Sequence, residues 1–197
     1  VFPKSVNSHL LHFPNIELTK LQSETLKIPQ ITSTSNSDDL SDEIHTLEAL
    51  IEKARIDFQI DGLVHGGISS EFQKKKFEKI CKEDNLNIIT PLWKTNPKEY
   101  MINLLDSNFK FILTSVSSDG LDETWLGKII SIDDVSLLSN LSSKHGFNLN
   151  FEGGEAETFV TDCPIYSHPI KINKSQTIWD GYRGRFEIED ASLDSNA

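Results

Sequence analysis

The hydrophobic period of this chain switches repeatedly along its first 116 residues, and that alternation constrains the fold more than any other feature. Leu40, Ile44, Leu47, Ile51 and Ala54 recur at three and four residues, one face of a helix over about 38–56. Ser37 is placed to cap it, and Asp38, Asp39, Asp42 and Glu43 suit the positive end of its dipole. Leu63-Val64-His65 reads as a short buried strand. A helix over about 70–84, a strand over 86–90, a helix over 97–107 led by Pro97, and an apolar strand over 109–116 follow. Upstream, Asn15 is positioned to cap a helix over 16–27, and Ile28 to Thr32 read as a short strand. Helices alternating with strands imply an α/β fold: a mostly parallel sheet flanked by helices. In such sheets ligands bind beyond the carboxyl ends of the strands. Gly66–Ser70, Trp93 and Ser115–Gly120 all follow strands, so they are expected to share one rim.

Beyond that sheet the chain carries a helix over 132–145 that Gly146 should end. Strands in an antiparallel arrangement are expected over 166–172 and 177–189, and residues 191–197 read as a frayed tail. This gives a smaller α+β C-terminal part.

Two stretches carry residue types suited to chemistry. Gly66-Gly67-Ile68-Ser69-Ser70 joins a strand to a helix. Such a turn offers backbone N–H groups and a helix dipole to an anion, although glycine in βα turns also serves packing alone. Glu152-Gly153-Gly154-Glu155-Ala156-Glu157 runs into the strand-like Thr158-Phe159-Val160, with Asp162 beyond. Alternation along a strand would put Glu155 and Glu157 on one face, and the glycine pair permits positive φ. An acidic cluster of this kind is as often a solvated hairpin as a site, and the residues alone leave both open. Asp122 and Glu123 beside Trp125 form a third group, either a binding wall or a loop that the Trp anchors to the core.

Composition narrows the function. Net charge is −11, which argues against broad binding to nucleic acid, because that needs clustered Lys and Arg. Cys81 and Cys163 have no metal-binding spacing, and His9 and His12 lack companions to complete a ligand set, so no resident metal is expected. Two free thiols, no run approaching the roughly 18 apolar residues of a membrane span, and no signal peptide point to a soluble cytoplasmic protein.

Several blocks, in one order and with matching spacing, resemble the diphthine–ammonia ligase family. They are His12-Phe13-Pro14-Asn15, Asp61 through Gln73, Thr90-Pro91-Leu92-Trp93, Gly120 through Gly127, and Glu152 through Pro164. The family belongs to the ATP pyrophosphatases, so the resemblance implies a Rossmann-like parallel sheet of the HUP type. It implies a nucleotide-binding part over residues 1–94, a substrate-binding part over 95–190, and a tail over 191–197. The implied activity is ATP-dependent amidation of diphthine on translation elongation factor 2. The carboxylate is adenylated with loss of pyrophosphate, and ammonia then displaces AMP to give diphthamide. ATP, with Mg²⁺ neutralising its phosphates, is the implied cofactor. The elongation factor and ammonium are the partners, with no nucleic acid and no membrane, and a homo-oligomer is compatible.

The resemblance assigns nucleotide contact to Gly66, Gly67, Ser69 and Ser70. Catalytic work falls to Glu152, Glu155 and Glu157, which could hold metal, orient the cationic substrate or deprotonate ammonium. Substrate binding falls to His12, Asn15, Trp93, Asp122, Glu123, Trp125, Gly153, Gly154 and Asp162. A cation–π contact from Trp93 or Trp125 to the trimethylammonium group is one expected element. The chain departs from the family in three side chains. Phe72 replaces a usual Tyr, Ala156 a usual aromatic, and Lys128 a frequent Arg. It also lacks the family's Ser-Gly-Gly-Lys-Asp-Ser phosphate loop, so a truncated form of an active ligase is expected. The alternatives are a non-catalytic relative that has lost the loop, or another amidating or thiolating ATP pyrophosphatase.

Overall fold

A computed structural model of the protein describes residues 1–4, 15–37 and 39–195. In chain order the helices are α1 (Thr19–Leu26), α2 (Leu40–Phe58), α3 (Glu71–Glu83), α4 (Pro97–Asp106) and α5 (Ile132–His145). The strands are β1 (Gly62–Val64), β2 (Asn87–Ile89), β3 (Lys110–Val116), β4 (Ala156–Asp162), β5 (Ile170–Trp179) and β6 (Gly184–Leu193). Short 3-10 turns cover Ile16–Leu18 and Glu123–Trp125. The chain divides into two compact units, Val1–Phe13 with Ile31–Thr95, and Pro14–Gln30 with Asn96–Ala197. No helix among the described residues is long and apolar enough to cross a membrane.

The first unit is the α/β part. Strands β1 and β2 pair in parallel, Leu63 against Ile88, with α3 as their crossover. Ile51 of α2, Ile80 and Cys81 of α3, and Leu86 form the buried core, with Ile44, Leu47, Leu63 and Ile88 packed against it. Helix α2 also buries Glu43, Thr46 and Leu50, so its inner face extends one residue to the side of the expected stripe. Thr46 tolerates burial because its hydroxyl donates to the Asp42 carbonyl at 2.8 Å. Ser37 does not cap α2. The N-cap is Asp39, without a side-chain bond, and the capping runs backwards. Asp42 Oδ2 accepts from the Ser35 hydroxyl at 2.8 Å and from the N–H groups of Asn36 and Ser37 at 2.6 and 2.9 Å.

The second unit is the smaller α+β part. Its antiparallel sheet runs in the order β4-β3-β6-β5. The expectation that residues 109–116 would extend the parallel sheet is therefore corrected: β3 pairs antiparallel with β4 and β6. Alternation along β3 serves two cores. Phe111 and Leu113 join α4 and α5 residues on one face, while Ile112 joins Phe159 and Ile170 on the other, where Leu18 and Leu21 pack. A register shift between Leu113 and Ser115 resets the phase, which is why Val116 rather than Ser115 returns to the first core.

Local signals set the ends of two helices as expected. Asn96 Oδ1 accepts from the N–H groups of Lys98 and Glu99, with Pro97 at the first helical position of α4. Helix α5 opens with a capping box between Ser131 and Asp134 and ends at Gly146. The strand expected over 28–32 is not formed. Pro29 has no N–H to give to a ladder, and the nearest pairing is a lone bridge between Thr34 and Phe2.

Candidate functional site

The residues singled out from the sequence fall in both units. In the first, Gly66, Gly67, Ser69 and Ser70 form the link from β1 to α3. Ser70 is the N-cap of α3, its hydroxyl accepting from the Gln73 N–H at 3.4 Å. Nothing lies within 4 Å of where a side chain on Gly66 would begin, so the backbone there is open to a ligand. Gly67 is closed instead: a Cβ would meet the His65 ring at 2.3 Å. The Lys94 N–H donates to the Ile68 carbonyl at 2.7 Å, which draws the Trp93 loop against this turn. Lys74 lies over the Trp93 ring at 4.2 Å from its centroid, so that aromatic face already carries a cation.

In the second unit the acidic stretch forms a tight turn leading into β4. Glu155 precedes the strand. Its Oε1 accepts from the Asn148 N–H at 2.9 Å and its Oε2 from the Gly153 N–H at 2.8 Å. Gly153 must be glycine to allow this, since a Cβ would sit 2.5 Å from Oε1. Gly154 supplies the positive φ, +80°. The loop after β3 fastens the turn: the Ser117 hydroxyl donates to the Gly154 carbonyl at 2.6 Å, and the Ser117 N–H to the Glu155 carbonyl at 2.8 Å. Glu157 is on β4 opposite Ser115. Burial pushes the Tyr100 phenol above its ordinary range, and the negative charge of Glu152 adds to that. Tyr100 thus belongs to the acidic turn's surroundings. From the sequence it reads only as an apolar position of α4.

The other expected residues of this unit are held by contacts of their own. Asp162 ends β4, about 17 Å along the strand from Glu157, and pairs with Lys110 at 2.9 Å. Asp122 caps the 3-10 turn, Oδ1 accepting from the Thr124 N–H at 3.0 Å and its hydroxyl at 2.5 Å, while Glu123 is exposed. Trp125 is buried in the main core, so the loop-anchor alternative describes it, and Lys128 lies 5.2 Å from its ring centroid. Lys128 also pairs with Asp134 at 2.5 Å. Asn15 does not cap the turn that follows it. Its amide grips β6, Nδ2 donating to the Phe186 carbonyl at 3.0 Å and Oδ1 accepting from the Ile188 N–H at 2.9 Å. His12 lies outside the described residues. The single sheet expected to carry these loops does not form: β3 belongs to a different sheet from β1 and β2. Among the described residues, no three His, Cys, Asp or Glu side chains converge as a metal site.

Comparison with known families matches both parts of the chain. The diphthamide synthase N-terminal domain covers residues 1–88 and the diphthamide synthase C-terminal domain residues 96–193. Diphthine–ammonia ligase of Mus musculus is 33% identical over 138 residues, 70% of this chain and 51% of the relative. The human protein of that name is 31% identical over the same span, again 70% of this chain and 51% of its own length. The Danio rerio protein is 32% identical over 139 residues, 70% of this chain and 54% of its own length. The chain spans about half the length of these curated relatives. With a C-terminal domain whose acidic turn is built from Glu152 to Glu157 and an N-terminal domain whose glycine turn opens α3, the chain belongs to the diphthamide synthase family.

Proposed function

We propose that the protein acts as a diphthine–ammonia ligase, amidating the diphthine carboxylate of translation elongation factor 2 in an ATP-dependent reaction. The observation that carries this reading is the rigidly hydrogen-bonded acidic turn of residues 152–157, set in the family's C-terminal domain. A carboxylate is a poor electrophile. Attack of its oxygen on the α-phosphorus of ATP expels pyrophosphate and leaves an acyl-adenylate, and ammonia then displaces AMP to form the amide. The acidic turn meets a substrate that carries a fixed positive charge, and a carboxylate there can also take a proton from ammonium. Glu152 and Glu157 are the residues we assign to this work, and Glu155, both of whose oxygens hold the main chain, to positioning them.

We assign the first unit to nucleotide binding and the second to substrate binding; Pro14–Gln30 goes with the second, and the expected tail is corrected, since β6 runs to Leu193 with Ala191 and Leu193 packed against a core. The open backbone at Gly66 and the capped N-terminus of α3 fit a phosphate group. Ser69 and Ser70 supply hydroxyls beside it. The described carboxylates form no three-ligand set, so a Mg²⁺ ion arriving with ATP would find no protein cage in them. Cys81 and Cys163 are both free and buried, which suits the cytoplasm, where the elongation factor works.

The test incubates the full-length protein with diphthine-bearing elongation factor, ATP and ammonium, and follows product by mass spectrometry. Diphthamide and AMP formed in equal amounts, with neither formed from factor lacking diphthine, is the expected result. Tight ATP binding without AMP release would mark a non-catalytic nucleotide-binding relative.

A further inference from the structure

Within the acidic turn the Glu155 side chain is tied to the main chain on both sides of Glu152. Both carboxylate oxygens of Glu155 are occupied by main-chain donors, the N–H groups of Asn148 and Gly153. Such bonds to an ionised acceptor are about twice as strong as neutral ones. The two donors bracket residue 152, one four positions before it and one immediately after. The main chain of Gly154 and Glu155 is in turn fixed by Ser117. Between the donors stands Phe151, which is buried and holds φ at +61°, a left-handed conformation that is strained for a bulky aromatic residue. A backbone held in that state needs contacts that outweigh its cost, and Glu155 supplies two of them.

We propose that Glu155 is the positioning residue of the acidic turn: its carboxylate ties the backbone on either side of Glu152 and so fixes where Glu152 meets the substrate. This rests on the amidation function proposed above. It divides the acidic turn into a residue that builds the turn, Glu155, and carboxylates that meet the substrate. Each oxygen keeps a second lone pair, but a proton taken up there would remove the charge that strengthens both bonds to the main chain.

The test compares wild type with Glu155→Gln and Gly153→Ala in the full-length protein. Gly153→Ala leaves every carboxylate in place but puts a methyl where the Glu155 carboxylate sits. Hydrogen–deuterium exchange is followed across residues 147–156, and amidation is measured with ATP varied. Both variants are expected to exchange at least tenfold faster in that stretch, with α5 and the body of β4 unchanged. Both should lose at least tenfold in kcat while KM for ATP stays within twofold. Lost amidation with wild-type exchange in Glu155→Gln would overturn the proposal, because Glu155 would then act on the substrate itself. Faster exchange with undiminished kcat would also overturn it. If wild type shows no amidation at all, the ligase function fails, while the exchange rates alone still decide whether Glu155 holds the turn.

Discussion

The hydroxyl of Thr25 donates to the main-chain carbonyl of His168 at 2.6 Å and accepts from the N–H of the same residue at 2.9 Å. One side chain thus satisfies both polar groups of a loop residue 143 positions away, and it does so while almost wholly buried. The Ser167 N–H completes the joint by donating to the Thr25 carbonyl at 2.9 Å. Helix α1 is thereby fastened to the connection between β4 and β5. Thr25→Val keeps the volume but strands both His168 groups, so it should cost about 1–3 kcal/mol. A fall in the urea midpoint with an unchanged slope is the expected outcome.

The start of α5 should show a pH-dependent stability. Burial pushes the Asp134 carboxyl up, but hydrogen bonds from Lys128, the Ser131 hydroxyl and the Ser131 N–H, with the charge of Lys128, outweigh it and hold it below the usual carboxylate range. Its folded value is therefore below the unfolded one of about 3.9. The stability it contributes is complete above about pH 4 and is lost as pH falls through the depressed value. Asp134→Asn should cost roughly 0.5–2 kcal/mol at neutral pH, the range for a lost helix cap. The gap between variant and wild type should close in acid, which thermal melts from pH 7 downward will read.

Tyr166 gives the alkaline counterpart. Burial pushes its phenol up to about 12, the charges of Cys163 and Asp162 add to the shift, and a hydrogen bond with Gln22 opposes it. A folded value above the unfolded one of about 10 means that the contribution is full below pH 10 and lost as pH rises toward 12. Ultraviolet titration should show one tyrosine ionising last, and Tyr166→Phe should remove that step.

Leu113 is wholly buried at the centre of β3. Leu113→Ala should cost about 2–5 kcal/mol, since the strand is fixed on both sides and cannot collapse into the space. A calorimetric melt would show the loss.

Features written in neighbouring residues were legible in the sequence. Pro97 marked the start of α4 and Gly146 the end of α5. The acidic turn and the glycine turn were legible as turns because their glycines and polar residues cluster. What could not be seen depends on distant partners. Whether β3 pairs parallel or antiparallel is decided by β4 and β6, which come later in the chain. Asn15 looks like a helix cap, but its amide meets main-chain groups 171 and 173 positions away. Lys74 and Lys128 each lie over a tryptophan ring, a contact that spacing in the sequence does not announce. Glu43 shows the same limit. Its place in the first turn of α2 suits the helix dipole, but packing buries it almost completely.

The most direct test of the account is single-turnover amidation by the Glu152→Gln full-length protein, with ATP and ammonium saturating and diphthine-bearing elongation factor as substrate. The substitution keeps the shape of the side chain and removes its charge, and Glu152 is not among the groups that fix the turn through Glu155. A loss of at least a hundredfold in the amidation rate, with ATP binding and the exchange of residues 147–156 unchanged, is what the account predicts. Amidation at the wild-type rate would contradict it.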